Sequence, residues 1–169
     1  MKETLILDKV SFCTKKDNEI LASELKKRKI DYHKAQYLRG VAFELIKSEN
    51  PDLQKKGACI LKKAIEEFPN EKYIIMTCHL ILGKYYRSIS DYNNAIYHFE
   101  IVMNNNHSSR NPRVGIGRPE MEIALTIIVS NHVENYDYAK QVMSFVDPRT
   151  LFVEGEKKQY SFIMEELSK

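Results

Sequence analysis

Apolar residues recur along most of this chain at spacings of three and four, the period of a helix that buries one face. Leu5 to Phe12, "LILDKVSF", reads as a short helix, and a strand of that length shows the same pattern. Asp17 is placed to cap "NEILASELKKRK", with Ile20, Leu21 and Leu25 on one side. Asp31 can cap the next helix, whose Tyr37, Leu38, Val41 and Leu45 repeat at helical spacing. "SENPDLQ" is a break with a restart built in: Asn50 suits the N-cap, and Pro51 suits the first helical position, where no N–H is needed. That helix carries Leu53, Ile60, Leu61, Ala64 and Ile65 and stops at Phe68, because Pro69 biases the residue before it away from helical backbone.

Asn70 can cap "EKYIIMTCHLILGKYYRS"; "SISD" turns the chain, and Ser90 or Asp91 starts "YNNAIYHFEIVM". Asn104 to Asn106 are expected to end that helix and to begin a connection, 104–119, that is long for a compact domain; such loops are usually functional or disordered. Pro119 opens "EMEIALTIIVSNHV", "NYDYAKQVMSFV" follows, and Pro148 stops it. In the tail, Tyr160, Ile163, Met164 and Leu167 form one stripe, as in a terminal capping helix.

Composition narrows the class. At 169 residues, with 43% hydrophobic and 29% charged positions, the chain can build a real core and is not of disordered type. A net charge of +3 does not by itself demand nucleic acid. The three cysteines, Cys13, Cys59 and Cys78, are odd in number and far apart, which points to reduced thiols and a cytoplasmic location rather than a zinc cluster or redox pair. No apolar run is long enough for a signal peptide or a membrane span.

The helices repeat. "KKGACILKKAIEEFPN", "SDYNNAIYHFEIVMNN" and "ENYDYAKQVMSFVDP" align so that Gly57, Ala95 and Ala139 share a register, followed four residues on by Leu61, Phe99 and Met143. The small residues are separated by 38 and 44 positions, the mark of a stacked helical array. The middle unit resembles a tetratricopeptide repeat, a helix–turn–helix of about 34 residues. Leu82-Gly83 and Tyr86 match the family's first-helix pattern, and Ala95 and Phe99 its second; the first unit has Leu38 to Gly40, with Phe43 as its aromatic. His79 stands where the family has Trp, His107 replaces the closing Pro, the first unit's turn is longer, and the third has Ile127 in place of the Gly.

The resemblance implies an all-α chain: a short right-handed stack of antiparallel helix hairpins over 32–146, preceded by N-terminal helices in 1–31 and closed by a capping helix in 149–169, all one TPR-like domain. It also implies a concave face lined by Lys34, Tyr37, Val41 and Glu44, by Thr77, Leu80, Lys84 and Arg87, and by Met121, Ala124, Ile128 and Asn131. Such a face has an apolar floor from Tyr37, Val41, Leu80 and Ile128 and cations at Lys34, Lys84 and Arg87. It suits a protein or peptide partner with an acidic group.

Chemistry-bearing groups are sparse. The five histidines fit no metal-ligand spacing, and His79 reads as a packing residue. No cofactor or metal is expected. "RVGIGRP" has a GxG without the strand and third Gly of a phosphate loop, yet Arg110, Arg113 and Arg118 crowd a helix N-terminus and can attract an anion. Lys26 to Lys29 at a helix C-terminus is accounted for by the helix dipole and lacks the aromatics of a nucleic-acid patch. With no nucleophile–base pair, the chain reads as a non-catalytic interaction protein that binds on the concave face or the basic loop. One concrete form is an inhibitor, by analogy of fold and size with bacterial toxin-immunity proteins. The competing class is a nucleic-acid-binding or small hydrolytic helical protein using Arg110 to Arg118.

Overall fold

The computed structural model describes residues 15–108 and 117–169. Every regular element among them is helical: α1 (Lys15–Lys26), α2 (Asp31–Ile46), α3 (Pro51–Glu67), α4 (Lys72–Ser88), α5 (Tyr92–Ser108), α6 (Pro119–Ser130), α7 (Tyr136–Met143) and α8 (Glu154–Leu167), with 3-10 turns at Val133–Asn135 and Pro148–Thr150. The all-α class holds, with α2 packed on α3 in one unit and α5, α6, α7 and α8 packed in succession in the other. Leu5 to Phe12 lies outside the described residues. The packing forms two compact units, Met1–Tyr85 and Tyr86–Lys169, whose boundary falls inside α4.

In the first unit α2 packs along α3. Asn50 caps α3 as its sequence suggests, its side chain accepting from the Asp52 N–H at 2.9 Å with Pro51 at the first position. Phe68 leaves helical backbone at φ −128° ahead of Pro69. The two caps set the length of α3 and bring Gly57, Ala58, Ile60, Leu61 and Ala64 onto its buried face. At Gly57 the helices meet backbone to backbone: a Cβ there would lie 2.7 Å from the Ala42 carbonyl oxygen and 2.8 Å from Ile46 Cγ1. Gly40 behaves differently, since a Cβ on it meets nothing within 4 Å. Its position in the Leu38 to Gly40 match therefore does not serve close approach in the way Gly57 does. Phe43, aligned with Tyr86, is 42% exposed and lies under the Lys47 ammonium.

In the second unit α6 is the central element, packing on α5, α7 and α8. Its core residues Met121, Ile123, Ala124 and Ile127 are fully enclosed. Ala95 and Phe99 of α5 and Ala139 and Met143 of α7 are buried too, so all six register residues of the repeat face inward in their own units. The terminal helix α8 packs on α6 and α7 and buries Ile163 and Leu167, while Met164 of the same predicted stripe is exposed.

Several boundaries differ from the pattern. Asp17 sits inside α1 rather than before it, and Ile30 rather than Asp31 holds the N-cap of α2, leaving Asp31 in the first turn, where its charge suits the helix dipole. α5 does not stop at Asn104 but continues to Ser108. Asn105 stays within it by donating from Nδ2 to the Ile101 carbonyl at 2.9 Å, so the helix itself satisfies the side chain that was expected to break it.

Candidate functional site

The residues expected to form a binding face separate into three groups. Lys34 and Tyr37 of α2 and Leu80 of α4 are half-buried, and Lys84 of α4 is exposed. All four belong to the first unit. Lys34 pairs with Asp31 one turn back at 2.8 Å. Tyr37 carries the Arg28 guanidinium over its ring at 3.7 Å, so one of the "KKRK" cations is spent on an aromatic face. Arg39, also on α2, lies near enough to α4 for its charge to act on the Cys78 thiol.

A second group is built into the second unit. Arg87, in the last turn of α4, was read as an exposed groove cation, and the structure corrects this. Its Nη2 lies 2.7 Å from Glu122 Oε2, off the axis of a well-formed hydrogen bond, so the contact is an ion pair. Its Nη1 donates to the Glu122 carbonyl and to Thr126 Oγ1, both at 3.3 Å, and its guanidinium lies over the Phe99 ring. Thr126 Oγ1 donates in turn to the Glu122 carbonyl at 2.6 Å. Glu122, like Glu120, is buried in the first turn of a mostly apolar helix, and Arg87 lies against it as a counter-charge. Met121 and Ala124, carried over to the third hairpin's inner face, lie in the core rather than on a surface, and Ile128 is half-buried. Asn131 is the C-cap of α6 at φ 57°, left-handed backbone that asparagine tolerates better than most residues.

The third group is the arginine loop. Arg110 and Arg113 lie outside the described residues. Arg118 does not belong to an unstructured segment: it is the residue before Pro119, its Nη2 donates to the Thr150 carbonyl at 2.6 Å, and its Nε lies 3.8 Å from Glu156. It ties the start of α6 to the Pro148–Thr150 turn and to α8.

The buried titratable groups are internal as well. His79 is 8% exposed, and burial lowers its pKa, so the ring is neutral at pH 7. Burial pushes the Cys78 thiol up to about 12, the nearby Arg39 charge only partly opposing it, which keeps it protonated and unreactive. Tyr138 donates to Glu100, and burial first, then that carboxylate, raises its pKa. His98 is buried, stacked on Tyr86 and edge-on to Tyr97. Among the described residues no group of three or more His, Cys, Asp or Glu converges to hold a metal, and no helix is long and apolar enough to cross a membrane. No protein-family model matches the chain, and comparison with curated proteins and with solved structures gives no significant match.

The residues that sequence reasoning passed over are Glu122 and Thr126. Their signal was an acid and a hydroxyl one turn apart in a run, "EMEIALTIIV", whose inward positions beyond Glu120 are otherwise apolar. A buried carboxylate of this kind requires a cation from elsewhere in the fold.

Proposed function

We propose that this chain is a non-catalytic, tetratricopeptide-like scaffold that binds a protein or peptide partner carrying an acidic group. The observation that carries the reading is the repeated register itself. Gly57 with Leu61, Ala95 with Phe99 and Ala139 with Met143 are three small-then-large pairs, and all six residues are buried in their own units. Arrays built this way present their variable side chains outward, and they mostly recognise other polypeptides. Charge supports an acidic partner. Residues 1–85 hold 17 Lys and Arg against 12 Asp and Glu, whereas residues 86–169 hold 9 against 11, so the positive excess lies in the first unit. There Lys34, Tyr37, Leu80 and Lys84 are the candidate face; Arg87 and Arg118 belong to the packing of the second unit. Inhibition of a bound protein, in the manner of an immunity protein in the cytoplasm, is one form this binding takes.

The test uses the partner captured from an extract of the protein's own cells. Tyr37→Ala combined with Lys84→Glu should keep the helical circular-dichroism spectrum of the folded chain and weaken the complex about tenfold, on the order of 1.4 kcal/mol. Unchanged affinity places the interface elsewhere.

A further inference from the structure

On α3 one exposed cysteine is framed by four lysines. Lys55 and Lys56 stand four and three residues before Cys59, and Lys62 and Lys63 three and four after it. At about 100° per residue these five positions fall within about 120° of helix surface, with Cys59 in the middle. The opposite face, Gly57, Ala58, Ile60, Leu61 and Ala64, is the one buried in the unit. The frame therefore faces away from the packing of α2 on α3: Lys55, Cys59 and Lys62 are exposed, Lys56 and Lys63 half-exposed. The two lysine pairs lie about 10 Å apart along the axis. No acidic residue occurs from Leu53 to Ile65, yet Asp52 closes the stretch on one side and Glu66 and Glu67 on the other, Lys63 lying 3.7 Å from Glu67.

We propose that this frame is a docking surface for a short acidic segment of a protein partner. It deepens the scaffold reading, on which it rests, and places the recognition of acid on the outward face of α3. Charge complementarity selects the occupant. A segment with carboxylates about 10 Å apart, two turns of a helix or three residues of a strand, reaches both lysine pairs at once. Acids at both ends of the frame repel a polyanion that runs on past it, such as a nucleic-acid backbone or an anionic membrane plane. They favour a segment whose own charge turns positive beyond its acidic centre. The frame also contains no aromatic ring on which a base could stack.

Cys59 reports occupancy directly. In the full chain with Cys13→Ser, and with Cys78 buried, the rate of Cys59 alkylation by neutral iodoacetamide is measured with four probes. These are a helical alanine-based peptide with four central glutamates and lysines at both ends, the same composition with the charges exchanged, single-stranded oligothymidylate, and phosphatidylserine vesicles. The acid-centred peptide should slow alkylation roughly threefold or more at low salt, and lose the effect as salt shortens the Debye length to about 5 Å. The charge-exchanged peptide should do nothing. Lys55→Gln with Lys62→Gln should abolish protection while the chain keeps its helical circular-dichroism spectrum. Equal protection by both peptides, protection by neither, or stronger protection by oligothymidylate or vesicles overturns the proposal. A captured partner that is lost with Tyr37→Ala and Lys84→Glu but indifferent to Lys55→Gln and Lys62→Gln also overturns it, while leaving the scaffold reading standing.

Discussion

Replacing Gly57 by alanine isolates the close approach of α2 and α3. A methyl group at Gly57 arrives 2.7 Å from the Ala42 carbonyl oxygen, well inside van der Waals contact, and 3.2 Å from the Ile46 backbone nitrogen. The Ile46 side chain can rotate aside, but the carbonyl moves only if α2 itself moves. Forced overpacking of this kind costs about 1–3 kcal/mol. Against it stands the gain from removing a glycine in a helix interior, about 1 kcal/mol. Gly40 supplies the reference, because it is also inside a helix and a Cβ there meets nothing within 4 Å. Gly40→Ala should therefore stabilise by about 1 kcal/mol through propensity alone. The difference between the two variants cancels propensity and leaves the packing term, about 1–3 kcal/mol. Urea unfolding followed by circular dichroism, with common slopes, measures it. If both alanines stabilise alike, α2 and α3 do not meet at Gly57 and the register drawn through it is wrong.

Three further outcomes follow from the buried polar groups. Arg87→Met removes the cation 2.7 Å from the buried Glu122 carboxylate and should cost about 3 kcal/mol, the lower end for breaking an enclosed pair; Glu122→Gln in the same chain should recover more than half in a double-mutant cycle. In a Cys13→Ser background, a disulfide reagent at pH 8 should titrate Cys59 alone in the native protein and release Cys78 only in denaturant, since burial holds the Cys78 thiol up at about 12. His79 is held neutral below its ordinary value of about 6.5, so the unfolded chain takes up its proton first as pH falls. Its contribution to stability is complete above that value and declines below it, and His79→Gln should flatten the pH dependence of the urea midpoint between about pH 7.5 and 5.5.

Local chemistry was legible wherever neighbours in sequence decide the outcome. The Asn50–Pro51 start of α3, its end at Phe68 before Pro69, and the start of α5 after Asp91, whose carboxylate accepts from the Asn94 N–H, all follow from residues within one turn. The inward register of Gly57, Ala95 and Ala139 was legible because a 3.6-residue period marks a face. Fates set by distant partners were not. Arg87 has the spacing of an exposed cation, and only the fold brings Glu122, 35 residues on, against it. Arg118 looked like part of a loose basic loop until Thr150 and Glu156 came within reach. Gly40 and Gly57 are both helical glycines in the repeat, yet one packs against backbone and the other faces open space.

The central claim, that the chain acts by binding another polypeptide, is tested most directly by capture. The full chain is immobilised and exposed to nuclease-treated extract of its own cells, and retained material is analysed by quantitative mass spectrometry against the Tyr37→Ala, Lys84→Glu variant. The account predicts a nuclease-resistant protein retained in near-equal molar amount and depleted about tenfold by the variant. Retention that disappears with nuclease, or identical retention by both forms of the chain, contradicts it.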